Sequence, residues 1–556
     1  LPIFIFLENG KRLYGDDTYA RINVAKIKRI EILNGASSAL YGTNAIGGVI
    51  NIITDDAKNA INVSSDTRYA SKGRFTQSVN IDVNTGKFGS YTSYRRQQAE
   101  GWQLNPYEEN SKTHELEETG KVASTGFYAN TVNQKFTFDA TDKLSFYARG
   151  GYYDNKTRRP YEAYDYNILH ETFNYGIGAQ YMINKGNYIT ADCYADHFSS
   201  SYCFFKDNKT YNGKAGEEQV RKRTRNHNLS IKGIFKLGNR HKLSVGTEYI
   251  VDVLKSQTDN IAKEDAYTLA LFAQDEIKLL RNLQALIGVR YIYHENFKNH
   301  ATPNVALMYK PGKFNFRASY AAGFRTPTLS ELYATDIAKK NDRLTIGNLD
   351  LKSEKNNYFS LSAEYVHERF SVSVNAFYNN IRDMIDYNTI ATGDKAMEQY
   401  GHKEVRQRDN IAEAKVHGIN VSANAYLGAG FNLSGGYTHL NTQDVELEQP
   451  IDKSIKNAYN INAQWAHSWK IYRLNINLNG RINSKRFSKS YGYAPEYQLW
   501  NLNTRHSFNL KSVIIEPGCG MENLFDYMDD RPYNSNYATL TPGRSFYISL
   551  SLKFKS

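Results

Sequence analysis

Catalysis needs nucleophiles, acid–base pairs or metal ligands brought together, and along this chain those residue types lie scattered. No Ser, His and Asp spacing fits a nucleophilic triad. No two carboxylates are placed for acid–base work in a cleft, and no run has metal-ligand spacing, so a non-enzyme is expected with no catalytic and no resident metal residues. The Gly cluster between Gly35 and Gly48 lacks a Gly-Lys-Ser/Thr ending and has no strand–helix–strand unit around it, so it does not read as a nucleotide loop. The chain has three cysteines. Cys193 and Cys203 share parity on one expected strand, about 33 Å apart if extended. A disulfide needs Cα atoms roughly 4.4–6.8 Å apart, and Cys519 has no evident partner, so no obligatory disulfide is expected. The plainest chemical feature is charge. Lys206, Lys209, Lys214, Arg221, Lys222, Arg223 and Arg225 face only Asp207, Glu217 and Glu218. Such a patch attracts anions through its summed potential. The preferred anion is the phosphate of outer-leaflet lipid or lipopolysaccharide, with an anionic chelate second. Nucleic acid is disfavoured, because no compact binding module accompanies the charge.

The elements that must hold these residues are strands. The chain has 556 residues, a formal charge of +12, 43 Tyr and only 11 Pro. A mean hydropathy of −0.60 with no apolar run near ~18 residues excludes a helical membrane protein. It does not exclude a barrel, whose strands alternate apolar and polar residues. Phe546, Ile548, Leu550, Leu552 and Phe554 occupy one parity, and Tyr547, Ser549, Ser551 and Lys553 the other. Phe359, Leu361, Ala363 and Tyr365 alternate with Ser360, Ser362 and Glu364. Phe370, Val372, Val374 and Ala376 alternate with Ser371, Ser373 and Asn375, and Leu474, Ile476 and Leu478 with Asn475, Asn477 and Asn479.

A soluble sandwich also has one wet face per sheet. Two features favour a membrane barrel over it. The strands read as about nine to twelve residues, longer than the ~5–6 usual in sandwiches. Short turns such as Lys310-Pro311-Gly312-Lys313 and Gly428-Ala429-Gly430 alternate strictly with long loops at 99–125, 155–171, 204–224, 323–354, 382–411, 442–456, 484–497 and 523–542. Short turns at one rim and long loops at the other mark an outer-membrane barrel. The expected fold is an all-β membrane protein, a 22-stranded antiparallel transmembrane β-barrel over residues 58–556. A lumen that wide carries a plug.

Residues 1–57 supply it. Arg29-Ile30-Glu31-Ile32, Gly35, Ala39-Leu40-Tyr41-Gly42 and Ala45 through Thr54 resemble the plug of TonB-dependent outer-membrane receptors. Gly418-Ile419-Asn420-Val421 and Glu522-Asn523-Leu524-Phe525-Asp526 extend the resemblance along the barrel, and Phe554 is similar to the family's terminal aromatic. The resemblance implies an outer-membrane importer of a Gram-negative bacterium, expected as a monomer. It has no intrinsic cofactor, and the TonB–ExbB–ExbD complex pulls on a periplasmic box. Residues 1–57 resemble only the C-terminal half of such a plug, so a truncated protein is expected, and a chain without the box should not transport actively.

The family imports ferric siderophores, haem, cobalamin or glycans. Phe324-Arg325-Thr326-Pro327 and Gly347-Asn348-Leu349-Asp350 resemble the two boxes of its haem branch, with Thr in place of Ala and the Asn-Pro start lost, and with no His at 328–346. Haem iron takes a His, Tyr, Cys or Met axial ligand. The resemblance therefore points to Arg325, Tyr333, Tyr400 and His402 as ligand-facing, with His114 and His170 in earlier loops. Each is also readable as an ordinary solvated loop residue. Tyr14 and Tyr19 flank a plug turn resembling a ligand-facing apical loop. Tyr491 and Tyr493 offer flat rings to a macrocycle or aryl chelate, whereas Tyr497 and Trp500 fit the aromatic girdle. The expected function is import of a bulky iron-containing nutrient, haem first and cobalamin or a ferric siderophore second. A passive porin, a barrel enzyme and a receptor docked to a surface lipoprotein are the weaker rivals.

Overall fold

The computed structural model describes residues 4–13, 18, 20–22, 27–34, 47–54, 60–110, 113, 115–338, 342–489, 492–532 and 541–555. The alternation becomes a wall. Twenty-two antiparallel strands run from Ile61–Ala70 to Ser545–Lys555, and the last pairs with the first, from Tyr547 opposite Ala70 to Lys555 opposite Asn62. Closure gives the backbone partners all round, as a hydrocarbon surrounding demands.

Parity sets the two faces. Phe546, Ile548, Leu550 and Phe554 are exposed outward, as are Phe359, Leu361, Phe370, Val372 and Val374. The opposite parity carries polar ladders. Ser319 meets Ser360 at 2.7 Å, Ser373 meets Ser422 at 2.7 Å, and Asn462 donates to Asn479 at 2.5 Å. Outside, Trp469 stacks on Tyr472 beside the turn at residues 470–471. Tyr267 lies 6.0 Å from Tyr249 and 6.1 Å from Tyr293 toward the opposite rim. These rings fit the two aromatic belts of a membrane barrel.

Two expectations need correction. The strands reach 23 residues in Phe370–Thr392 and 25 in Glu404–Gly428, so much of the segments read as loops at 155–171, 204–224 and 382–411 is wall. Beyond the lipid the outward face has no reason to stay apolar, so the pattern fades while the backbone pairing continues. Nor do long loops strictly alternate with short turns. The connections at 71–73, 257–260 and 295–297, on the long-loop rim, are short.

The opening segment forms a four-stranded sheet: β1 (Phe4–Glu8), β2 (Lys11–Arg12), β3 (Ile27–Asn34) and β4 (Gly48–Thr54), in the order β2-β1-β4-β3. β1 runs parallel to β4, and β3 antiparallel to it. Leu13, Ile22 and Ile52 form its small core. The sheet is fastened to the lumen-facing side of the wall. Arg21 Nη1 reaches Asp196 Oδ1 and Oδ2 at 3.0 and 3.2 Å, with both side chains buried. Lys11 pairs with Asp192 and donates to Ser230, and Arg95 Nη1 donates to the Ile22 carbonyl at 2.7 Å.

Candidate ligand vestibule

The strand Asn187–Phe204 links the plug to the space above it. Asp192 and Asp196 face inward, because they hold the plug. Tyr202 shares their parity six residues further on, roughly 20 Å along the strand. There it joins an aromatic cluster. Tyr202 stacks on Tyr166 at 4.1 Å, and Tyr211 meets both edge-on at 5.1 and 5.8 Å. Phe204 packs 5.6 Å from Tyr166. Cations cap the rings. The Arg221 guanidinium lies 5.3 Å from Tyr202 and 5.0 Å from Tyr211, and Arg159 lies 4.0 Å from Tyr164 and 5.0 Å from Tyr166. Lys206 sits 3.7 Å over Tyr161. Burial, then the neighbouring Tyr166, push the Tyr211 phenol above its ordinary range, so it stays neutral. The result is a wall of flat faces with positive charge beside them, suited to an anionic aromatic solute.

Within the loop that follows Phe204, charge is partly spent internally. Lys214 pairs with Asp207 at 3.2 Å. The Ala215 amide and Lys214 hold the Asp207 carboxyl below its ordinary range, and the Lys214 amide and Gln219 do the same for Glu217.

Across the mouth, the two box segments form a knot. The helix α1 (Leu329–Tyr333) is capped by Thr328, whose hydroxyl accepts from the Glu331 amide while the Glu331 carboxylate accepts from the Thr328 amide. Arg325 is buried and gripped by two carboxylates: Nη1 to Glu331 at 2.8 Å, Nε to Glu354 at 2.8 Å and Nη2 to Glu354 at 2.5 Å. Burial alone would raise the Glu331 pKa, but Arg325 and the Thr328 amide bring it below the ordinary range. Glu354 also accepts from the Ile385 amide at 2.9 Å. Asn348 donates to the Arg408 carbonyl at 3.0 Å, and Asn410 bridges Lys352 and Asp383. A Cβ at Gly347 would stand 2.4 Å from the Leu332 carbonyl oxygen, so only glycine lets the second box close on α1.

Several expected ligand residues have partners within the protein. Arg325 points into the knot, where both carboxylates that neutralise it belong to the protein. Tyr333 packs on Leu332, Leu351 and Ile385. Tyr400, at the end of the helix α2 (Gly393–Tyr400), packs on Ala391, Ala396 and Val405. His402 is partly buried, its Nδ1 2.8 Å from Asp342 Oδ1. That contact is the first cause holding the Asp342 carboxyl below its ordinary range. Tyr493 is exposed on the hairpin Arg486–Ser488/Gly492–Ala494, edge-on to Phe487 at 5.3 Å. Tyr14, Tyr19, Tyr491 and His114 lie outside the described residues. His170 faces Phe198 at 5.3 Å within the wall. Tyr497 donates nothing to a girdle: it shares the parity of lumen-facing Asn503, meets Asn483 at 2.5 Å, and stacks on Tyr527. The cysteines are free.

The cations of that loop stand out in the sequence, but the Tyr166–Tyr202–Tyr211 wall they cap does not, because its rings come from two strands and a loop. Parity from Asp196 to Tyr202 is the signal that could have found it.

The barrel matches the family model described as TonB dependent receptor-like, beta-barrel, over residues 72–516, and the opening sheet matches the TonB-dependent Receptor Plug Domain over residues 4–49. The chain belongs to the TonB-dependent receptor family. As such it is a receptor of the Gram-negative outer membrane, coupled to TonB for energy, and not an enzyme. Several solved structures share its fold. A mutant of the ferric enterobactin receptor PfeA of Pseudomonas aeruginosa superposes with a TM-score of 0.85 at 17% identity, covering 100% of this chain and 91% of the other. The siderophore receptor PirA of Acinetobacter baumannii gives 0.79 at 16% identity, covering 100% and 91%. The FrpB iron transporter of Neisseria meningitidis gives 0.76 at 14% identity, covering 99% and 92%.

Proposed function

We propose that this TonB-dependent receptor imports a ferric siderophore, and that the ligand is an anionic chelate carrying aryl groups. One observation carries the reading: the lumen-facing wall of Tyr166, Tyr202 and Tyr211 with Arg159 and Arg221 against it, above the plug latch at Asp196. Rings stack on aryl groups, and guanidinium charge complements the chelate. The receptors of like fold, named for ferric enterobactin and for siderophores, support the same choice and displace haem from first place. The ligand binds in the vestibule, and TonB then rearranges the plug to open a path past the wall.

Haem remains the second reading because of His402. Its Nδ1 meets a carboxylate, a contact that metal-ligating histidines commonly have. Titration separates the two. Purified receptor is titrated with a ferric tris-catecholate and, separately, with hemin, following protein fluorescence and the Soret band. The ferric chelate is expected to bind, and Arg221→Ala and Tyr202→Ala each to weaken it about tenfold, or ~1.4 kcal/mol. A Soret shift that disappears in His402→Ala, with no binding of the ferric chelate, reverses the order.

A further inference from the structure

The strands that line the vestibule carry a second charged site on their outer face. In Glu218–Leu237, Leu229, Ile231 and Leu237 are exposed outward, and Arg223 and Arg225 share their parity and are exposed too. In the neighbouring strand His241–Ser256, Tyr249 faces outward, and exposed Lys255 shares its parity. The register sets Arg223 directly opposite Lys255, and Arg225 opposite Val253. Like charges directly opposite on one face, with Cβ atoms about 4.5–5.5 Å apart, are destabilising. Among the described residues none of the three has an ion-pair partner. Of the nearby acids, Asp265 faces Lys263 at 3.6 Å, and Glu171, which accepts from the Tyr152 hydroxyl at 2.8 Å, stands across Ser199 from Arg223 on the rim of the same crevice without pairing with it.

Height decides what neutralises them. Tyr267, in the outer aromatic belt, pairs with Val251. Arg225 stands one outward position above that level, about 7 Å along the strand, and Arg223 and Lys255 one further. That is the headgroup layer above the ring belt. Below lies an apolar wall of Leu229, Ile231 and Ile177. A crevice of about 240 Å³, lined in part by Phe173, His197, Arg223 and Arg225, opens between the two zones.

We propose that Arg223, Arg225 and Lys255 bind a phosphate of an acylated phosphoglycolipid in the outer leaflet, with its acyl chains lying on Leu229, Ile231 and Ile177. The phosphate sits between the opposed Arg223 and Lys255 and relieves their repulsion. The site is independent of the imported ligand, being on the opposite face of the wall from Tyr202.

The test uses the full chain, delipidated in detergent, titrated with bisphosphorylated lipid A or with its dephosphorylated form and read by native mass spectrometry. The phosphorylated lipid is expected to bind at least tenfold more tightly, and R223A/R225A/K255A to abolish that preference. Heat-modified gel migration reports whether the variant barrel folds. If the triple variant does not fold, Lys255→Gln alone decides: it should lower affinity for the phosphorylated lipid without reducing the lipid-free barrel's thermal stability. Equal binding of the two lipids by the unaltered chain overturns the proposal, as does affinity unchanged in the variants. Competition by inorganic phosphate as effective as by the lipid overturns its acyl half.

Discussion

Arg325 shows how far a residue's role lies from its motif. The sequence presents it in a four-residue box and suggests a group aimed at a ligand. Its two carboxylate partners stand 6 and 29 residues away, and only folding brings them to it. Residue type was legible here and direction was not, since the register that aims a side chain depends on long-range pairing. Removing the guanidinium leaves Glu331 and Glu354 facing one another without a counter-charge, a loss of about 3–5 kcal/mol for a buried pair. Arg325→Ala is therefore expected to free the 326–353 segment, read as faster limited proteolysis there with the rest of the barrel intact; unchanged cleavage would refute the knot. The pH dependence has a definite sign. Glu331 has a folded-state pKa below its unfolded value, so its contribution is full above the ordinary glutamate range and fades as pH falls through the lower folded value. Protection of the segment should persist through mild acid and fail only below that range, whereas in Glu331→Gln it should be weak at every pH.

At the scale of elements, the strand Asn187–Phe204 does three things along its length. It meets lipid through one parity, latches the plug through Asp192 and Asp196, and presents Tyr202 to the vestibule. Where lipid was in contact, its alternation could be read directly. Above the lipid, burial against loops replaces burial in hydrocarbon and leaves no two-residue rhythm, so strand ends there run past the expected boundaries, by as much as eleven residues at Thr392. The two helices among the described residues are hidden for a related reason: segments of 5 and 8 residues carry too little periodicity to stand out. The latch makes its own prediction. Asp196→Ala removes the buried carboxylate that Arg21 grips across the plug–wall seam, about 3–5 kcal/mol against the seated plug. The variant should admit large antibiotics that the unaltered receptor excludes. Equal exclusion by both would mean that the plug is held elsewhere.

For the molecule as a whole, strand number, closure and the inserted plug were legible because each follows from patterns repeated along the chain. The identity of the cargo was not, because a binding site is assembled from side chains that distant strands and loops bring together. A plugged lumen should conduct poorly. Reconstituted in planar bilayers, the receptor is expected to show no large stable ion current, and such a current would return the porin reading.

The joint between the first and last strands carries a further consequence. Tyr547 through Lys555 zip onto Ala70 through Asn62, nearly five hundred residues earlier in the chain. Until that late segment arrives, the early one presents a bare row of amides and carbonyls, a ready template for the wrong neighbour. Assembly therefore ends with its slowest, most non-local step, and the cell must shield a sticky edge for the whole interval between making the first stave of the cask and fitting the last.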